Sequence, residues 1–201
     1  MNGKVALFDF DNTLTKTDTT KFLLFSLLFY RPFAFVTSMQ LLRKSRDNKE
    51  KLQVVKAEII GRLIGGYSEN VLKKKLRVYT FLTKLTYQKC MVDILKRFVS
   101  DQYHVIIATA SPTFALTDLL GKDVVVIGTE FKIKHGVYTG EINGVPCFAK
   151  SKAYMVNEYL KNNNLTDIEA AYSDDEVDKP FLLLARKSYI VTKHKELIKF
   201  N

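Results

Sequence analysis

The 201-residue chain has only two cysteines, Cys90 and Cys147. They lie far apart and fit neither a disulfide framework nor the paired spacing of a zinc site, so a reducing compartment is expected. The opening "MNGKVALFDF" has no basic segment leading into an apolar one, which argues against a secretory signal. Long apolar runs are equally scarce. The longest, "FLLFSLLFYRPFAFV" from Phe22 to Val36, is broken by Arg31 and Pro32 and falls short of the roughly 20 residues that a spanning helix needs. No membrane span is expected, and the chain reads as cytoplasmic. Internal repeats, low-complexity tracts and Pro/Ser-rich linkers are missing too, which leaves one compact domain or one domain carrying an insert.

Acidic residues are scarce in one region. Residues 16–99 hold 18 Lys/Arg against 6 Asp/Glu, a local charge of +12, whereas the rest holds 13 against 15 and is slightly negative. The net charge of +10 therefore resides in the middle of the chain. A field of that sign attracts anions: phosphorylated metabolites, acidic lipid surfaces or nucleic acid.

With 47% hydrophobic residues the chain can bury a core. Short apolar runs recur as "KVALFDF", "HVIIATA", "DVVVIGTE", "IEAAYSD" and "SYIVT". Each is bounded by polar or Gly-containing segments, the pattern of buried parallel strands. Helix-like stretches alternate with the later ones. "SPTFALTDLLG" ends in a capping glycine, "SKAYMVNEYLKNN" has helical spacing, and "DKPFLLLARK" can hold Pro180 in a first turn. The alternation predicts an α/β fold with a doubly wound, mainly parallel, Rossmann-like sheet and a site at the strands' carboxyl ends. About ninety residues separate the first two strands, too many for a single crossover helix, and nearly all of them read helical. Gly65 and Gly66 break the pattern, and Ser68 is placed to cap the next helix in a helical-reading stretch that extends to Phe98. The expected division is a core of residues 1–15 and 100–201 with a helical cap over 16–99. "EFKIKHGVYTGEI" adds a small β-hairpin about His135-Gly136.

Chemistry concentrates at the predicted strand ends. Asp9 and Asp11 close the first strand, and residues two apart on a strand share a face. Two carboxylates so placed raise each other's pKa unless a cation or a shared proton relieves them. Thr109 follows the second strand, with small residues after it, Ala110 first, whose amides can approach a phosphate. Lys150 or Lys152 opens a helix, against the usual placement of cations at the opposite end, and so calls for an anionic partner. In "AAYSDDEVDKP" four acids crowd one strand end, and hard oxygen ligands converging there with Asp9 and Asp11 would suit Mg²⁺.

D-x-D-x-T, then Thr, then Lys, then D-D-x-x-D on successive strands resembles the haloacid dehalogenase superfamily, in particular its phosphoserine-phosphatase-like subgroup with a helical cap after the first strand. "VIGTEFKIKHGVYTGEINGVPCFAKSK" is similar to that subgroup's corresponding segment, where a Cys stands five residues before the motif lysine. Spacing from Cys147 then picks Lys152 rather than Lys150. The resemblance implies a phosphoric monoester hydrolase in which Asp9 attacks phosphorus to give an aspartyl-phosphate that water hydrolyses, while Asp11 serves as acid and then base. Mg²⁺ would be held by Asp9, the Asp11 backbone carbonyl and Asp174. Thr109, Ala110 and Lys152 would bind the phosphate, with Asp178 and Asp175 supporting the metal shell. The chain departs from the pattern at Ser173-Asp174-Asp175, where the subgroup commonly has G-D-S, and at Asn12, where Gly or Ser is common.

Substrate choice belongs to the cap. Asp18 falls where phosphoserine phosphatases place an acid that meets the substrate's ammonium, but the cap stretch those enzymes use for the serine carboxylate has no clear counterpart. "KAEIIGRLIGGYSENVL" resembles instead the cap of phosphatidylglycerophosphatase-like members. The expected substrate is a lipid phosphate or a small phosphorylated metabolite. Basic clusters beside apolar runs add the expectation of peripheral contact with an anionic membrane at its inner face. Phosphoserine is one alternative. The other is nucleic-acid binding or 3′-phosphate processing by the basic cap, which is disfavoured because no known binding motif interleaves its basic residues with aromatics.

Overall fold

A computed structural model describes residues 3–31, 33–45, 47–192 and 196–200, with the side chains of 33–37 and 39 outside the description. Five strands run parallel: β1 (Lys4–Phe8), β2 (His104–Pro112), β3 (Val124–Thr129), β6 (Asp167–Ser173) and β7 (Lys187–Val191). The sheet order is β3-β2-β1-β6-β7-β8. The edge strand β8 (Leu197–Lys199) pairs antiparallel with β7, and nothing in the sequence pattern announced it. A separate hairpin joins β4 (Phe131–Lys134) to β5 (Val137–Ile142). Its two-residue turn has His135 at φ 51° and Gly136 at φ 77°, both positive, as a hairpin turn matching the strand twist requires.

β1 lies in the middle of the sheet, and Val5, Ala6, Leu7 and Phe8 are all fully buried. Strand alternation divides them between two cores. Val5 and Leu7 join Ile106, Ala108 and Ala171 under α8 (Ala149–Asn162) and α9 (Lys179–Leu182). Ala6 and Phe8 join Val105, Ile107, Ala170 and Tyr172 on the face covered by α7 (Thr113–Leu120) and the helices inserted after β1. On that face the Phe8, Tyr172 and Tyr189 rings stack across adjacent strands, with centroids 4.8 and 5.1 Å apart. The expected helix in "DKPFLLLARK" is only the four residues of α9, preceded by a 3₁₀ turn over Glu176–Asp178.

Between β1 and β2 stand α1 (Thr20–Leu28), α2 (Phe33–Lys44), α3 (Lys49–Ile64), α4 (Glu69–Lys75), α5 (Arg77–Leu85) and α6 (Lys89–Ser100). The helical stretch from Ser68 to Phe98 is thus divided into three helices. The second break has a tertiary cause. The Gln88 amide donates to the carbonyls of Asn12 and Thr15 at 2.8 Å each, and the Gln88 N–H donates to Leu14 O, pinning residues 86–88 beside the chain that leaves β1. Ser68 does occupy the N-cap position of α4, but its side chain makes no capping bond. Among the described residues no helix is long and apolar enough to cross a membrane, and both cysteines are free thiols.

α3 packs closely on β5 because Gly61 has no side chain. A Cβ there would lie 2.0 Å from the Gly140 carbonyl oxygen, and Gly140 itself has φ 90°. Substituting Gly61→Ala is therefore expected to lower stability by about 2–3 kcal/mol despite the better helix propensity of alanine. Thermal melting checks this, and an unchanged Tm would contradict the packing.

Candidate active site

β1 occupies the point where the strand order reverses, the crevice in which open α/β sheets bind ligands. Asp9 is the first residue beyond it, and its N–H is held by Tyr172 O of the neighbouring strand at 2.8 Å. It continues the face of Val5 and Leu7, toward α8. From the first turn of α8, Lys152 reaches back so that its Nζ lies 2.8 Å from Asp9 Oδ1 and 2.5 Å from Asp178 Oδ2. Ser173 Oγ also donates to Asp178 Oδ2, at 2.8 Å. Lys152 and Asp178 are each 3% exposed and Asp9 6%, so this is a buried ionic triad with two acids on one base. Among the described residues Asp178 Oδ1 is buried without a hydrogen-bond partner. Lys150 is exposed outside this cluster.

Asp11 is gripped on both oxygens. The Thr19 N–H and Oγ1 donate to Oδ1 at 2.6 and 2.7 Å, and Ser111 Oγ donates to Oδ2 at 2.7 Å. Asn12 takes up φ 59° in the turn that follows, a left-handed conformation that asparagine tolerates better than most residues, which accounts for its standing where Gly or Ser is common. Across the site Thr109 is fully buried, and its Oγ1 accepts from Ser111 N–H at 3.1 Å. The β2–β3 register shifts between Ala108 and Pro112, so residues 109–111 leave the ladder where Asp9 faces them.

The electrostatics are those of a site short of positive charge. Burial pushes the Asp9 carboxyl above its ordinary range; the Lys152 ammonium opposes this and Asp178 adds to it. Asp174, half-buried, is pushed up to about 8 by burial and then by the charge of Asp9. Asp11 is raised to about 6 by burial and by Asp18, against the hydrogen bonds from Thr19 and Ser111. For Lys152, burial acts downward, but Asp9 and Asp178 more than reverse it and keep the ammonium charged.

Among the described residues no three His, Cys, Asp or Glu side chains are arranged to hold a metal. Two carboxylates with a backbone carbonyl remain, and that is a donor set Mg²⁺ accepts, since it keeps several waters and completes its shell from substrate phosphate. The partnerless Asp178 Oδ1 is a ready acceptor for such a water. The residues fit a magnesium ion.

One cavity of about 110 Å³ is lined by Asp9, Asp11, Asn12, Asp18, Thr109, Ala110, Lys152, Asp174, Asp175 and Asp178, together with Thr20, Gln53, Lys56 and Phe148. Every site residue picked from the sequence, Lys150 apart, thus converges. Two of them are engaged in ways the sequence did not suggest. Asp175 has one oxygen on Val177 N–H and the other on Lys49 Nζ at 2.6 Å, so it ties the sheet end to α3. Asp18 pairs with Lys56 of α3, also at 2.6 Å, which holds its carboxyl below the usual range even though burial acts the other way. Lys49, Gln53 and Lys56 were missed. Their i, i+4, i+7 spacing marks one helix face and could have been noticed; nothing in the sequence singles out Thr19 or Ser111 as partners of Asp11.

The sequence matches the haloacid dehalogenase-like hydrolase family over residues 6–183, and the chain belongs to that family of enzymes. No curated protein matches it significantly. Among solved structures, a Bordetella pertussis Tohama I protein of unknown function is similar with TM-score 0.78 at 21% identity, over 94% of this chain and 89% of that one. A substrate-bound phosphoserine phosphatase gives TM-score 0.60 at 18% identity, covering 94% and 85%. Cytosolic 5′-nucleotidase IIIB bound to cytidine gives 0.66 at 13%, covering 95% and 72%. These likenesses establish a shared fold.

Proposed function

We propose that this hydrolase is a Mg²⁺-dependent phosphatase that cleaves a phosphomonoester through an aspartyl-phosphate on Asp9, with the helical insert serving as its cap. The observation that carries the reading is the placing of Asp9. Its carboxylate stands at the end of the central strand against a buried ammonium, in one cavity with Thr109, Ala110 and Asp174. Asp9 attacks phosphorus, the phosphorus–oxygen ester bond breaks, and the departing oxygen takes its proton from Asp11. A water then attacks the acyl phosphate, Asp11 receives its proton, and phosphate leaves with Asp9 restored. Thr19 and Ser111 fix the Asp11 carboxyl in direction through both steps. Lys152, Thr109 and Ala110 N–H bind the phosphoryl oxygens. Asp9, the Asp11 carbonyl and Asp174 would hold the Mg²⁺, which supplies positive charge between phosphate and nucleophile.

The substrate fitting this site best is a small phosphorylated metabolite whose leaving group meets Asp18, Lys56 and Gln53. A phosphoserine phosphatase and a nucleotidase share the fold, but here Asp18 is already neutralised by Lys56, which weakens it as a receptor for the ammonium of phosphoserine. A lipid phosphate is the second reading, favoured by a groove of about 320 Å³ that shares Gln53 and Phe148 with the phosphate cavity and is walled by Val54, Val145 and Pro146. Hydrolysis of p-nitrophenyl phosphate is expected with Mg²⁺ and not after chelation with EDTA. Undiminished turnover in EDTA would refute the metal assignment, and none in either condition the phosphatase. A panel of phosphoserine, nucleoside monophosphates, glycerol phosphate and lipid phosphates separates the substrate classes.

A further inference from the structure

The outer side of the insert carries a surface that hydrolysis does not use. α1 and α5 pack in a common core, into which they turn Leu23, Leu27 and Tyr79. Their opposite sides carry Phe25, Phe29, Val78, Phe81 and Leu85, which are 49–78% exposed. On α1 and its C-cap the exposed residues Lys21, Phe25 and Phe29 follow one another at four-residue steps; on α5 Val78, Phe81 and Leu85 form a stripe flanked by Arg77 and Lys84, so each row lies along one helix face. Isolated exposed apolar residues are ordinary, but five large ones on two packed helices mark a contact surface.

Charge identifies the partner. α1 carries Lys21 and no acid, and α5 carries Arg77 and Lys84 and no acid. A second copy would bring like charge against like. A nucleic acid would neutralise the cations but leave Val78 and Leu85 in water. An anionic bilayer meets both demands, taking the aromatic and aliphatic side chains at the headgroup boundary while its phosphates face the cations. We propose that the α1–α5 face docks this protein on an anionic lipid bilayer. The docking is independent of the catalytic reading, because no residue of the face lines the catalytic cavity.

The test is co-sedimentation of the whole chain carrying Asp9→Asn, so that no turnover intervenes, with vesicles of phosphatidylcholine alone or mixed with phosphatidylglycerol. Binding is expected to the mixed vesicles, weakening severalfold as salt rises. Phe25→Ser combined with Phe81→Ser is expected to weaken it about tenfold or more, and Lys84→Gln with Arg77→Gln to weaken it on anionic vesicles. The chain has no tryptophan, so Phe81→Trp provides a single reporter whose emission shifts to the blue on binding and is quenched by brominated lipid, a readout independent of any loss of fold in the serine variant. Failure to bind, equal and salt-insensitive binding to neutral vesicles, or an indole emission from the Phe81→Trp variant that lipid leaves unmoved would each overturn the proposal.

Discussion

Replacing Asp9→Asn is expected to lower phosphatase activity by about 10⁴-fold or more without lowering the melting temperature measured in the absence of magnesium. The activity loss follows because an amide cannot supply the attacking oxygen. The stability result follows from the charge balance around Lys152, where Asp9 and Asp178 are gathered on one ammonium and Asp174 feels the charge of Asp9. The substitution removes one buried negative charge while its carbonyl can still accept from Lys152 Nζ. It also relieves Asp174, whose carboxyl is raised by burial and next by Asp9. The variant's Tm should therefore equal or exceed that of the parent, and Mg²⁺ should raise it less than it raises the parent's, one of the two carboxylate ligands having gone. Residual activity above a few per cent would move the nucleophile elsewhere.

Lys152→Met has the opposite effect on stability and the same effect on turnover. It leaves Asp9 and Asp178 buried with no cation, and breaking a buried pair by removing one partner costs about 3–5 kcal/mol. For a domain of this size that is a fall in Tm of roughly 6–20 °C. Adding Asp178→Asn should recover much of the lost stability, because the second uncompensated charge goes, while activity stays lost. That non-additivity is the signature of one coupled triad. A Tm unchanged by Lys152→Met would mean that the ammonium does not hold these acids together.

The site was legible where each residue's position followed from its own strand. Asp9 follows β1, Thr109 lies in the distorted end of β2, and Asp174 and Asp178 follow β6; parallel strands of one doubly wound sheet bring their carboxyl ends to one edge whatever lies between them. A lysine at the wrong end of a helix was legible as Lys150 or Lys152, and only the family resemblance, through the spacing from Cys147, pointed to Lys152. The engagement of Asp175 was not legible, since its partner Lys49 is 126 residues away and the pairing exists only once α3 is in place. The break before α6 was equally hidden, because it comes from Gln88 bonding to Asn12 and Thr15 rather than from any helix-breaking residue. β8 has three exposed residues and owes its existence to pairing with β7.

Local sequence alone determined the strand ends, the acids on them and the excess of cations between residues 16 and 99, because alternation, spacing and charge are properties of neighbours along the chain. Only the tertiary structure decided that one lysine would serve two acids, that Asp18 and Asp175 would be bound to α3, and that α1 and α5 would leave five apolar side chains in water. Those depend on which distant surfaces meet, and they meet through burial of area and pairing of charge, which no short window of sequence contains.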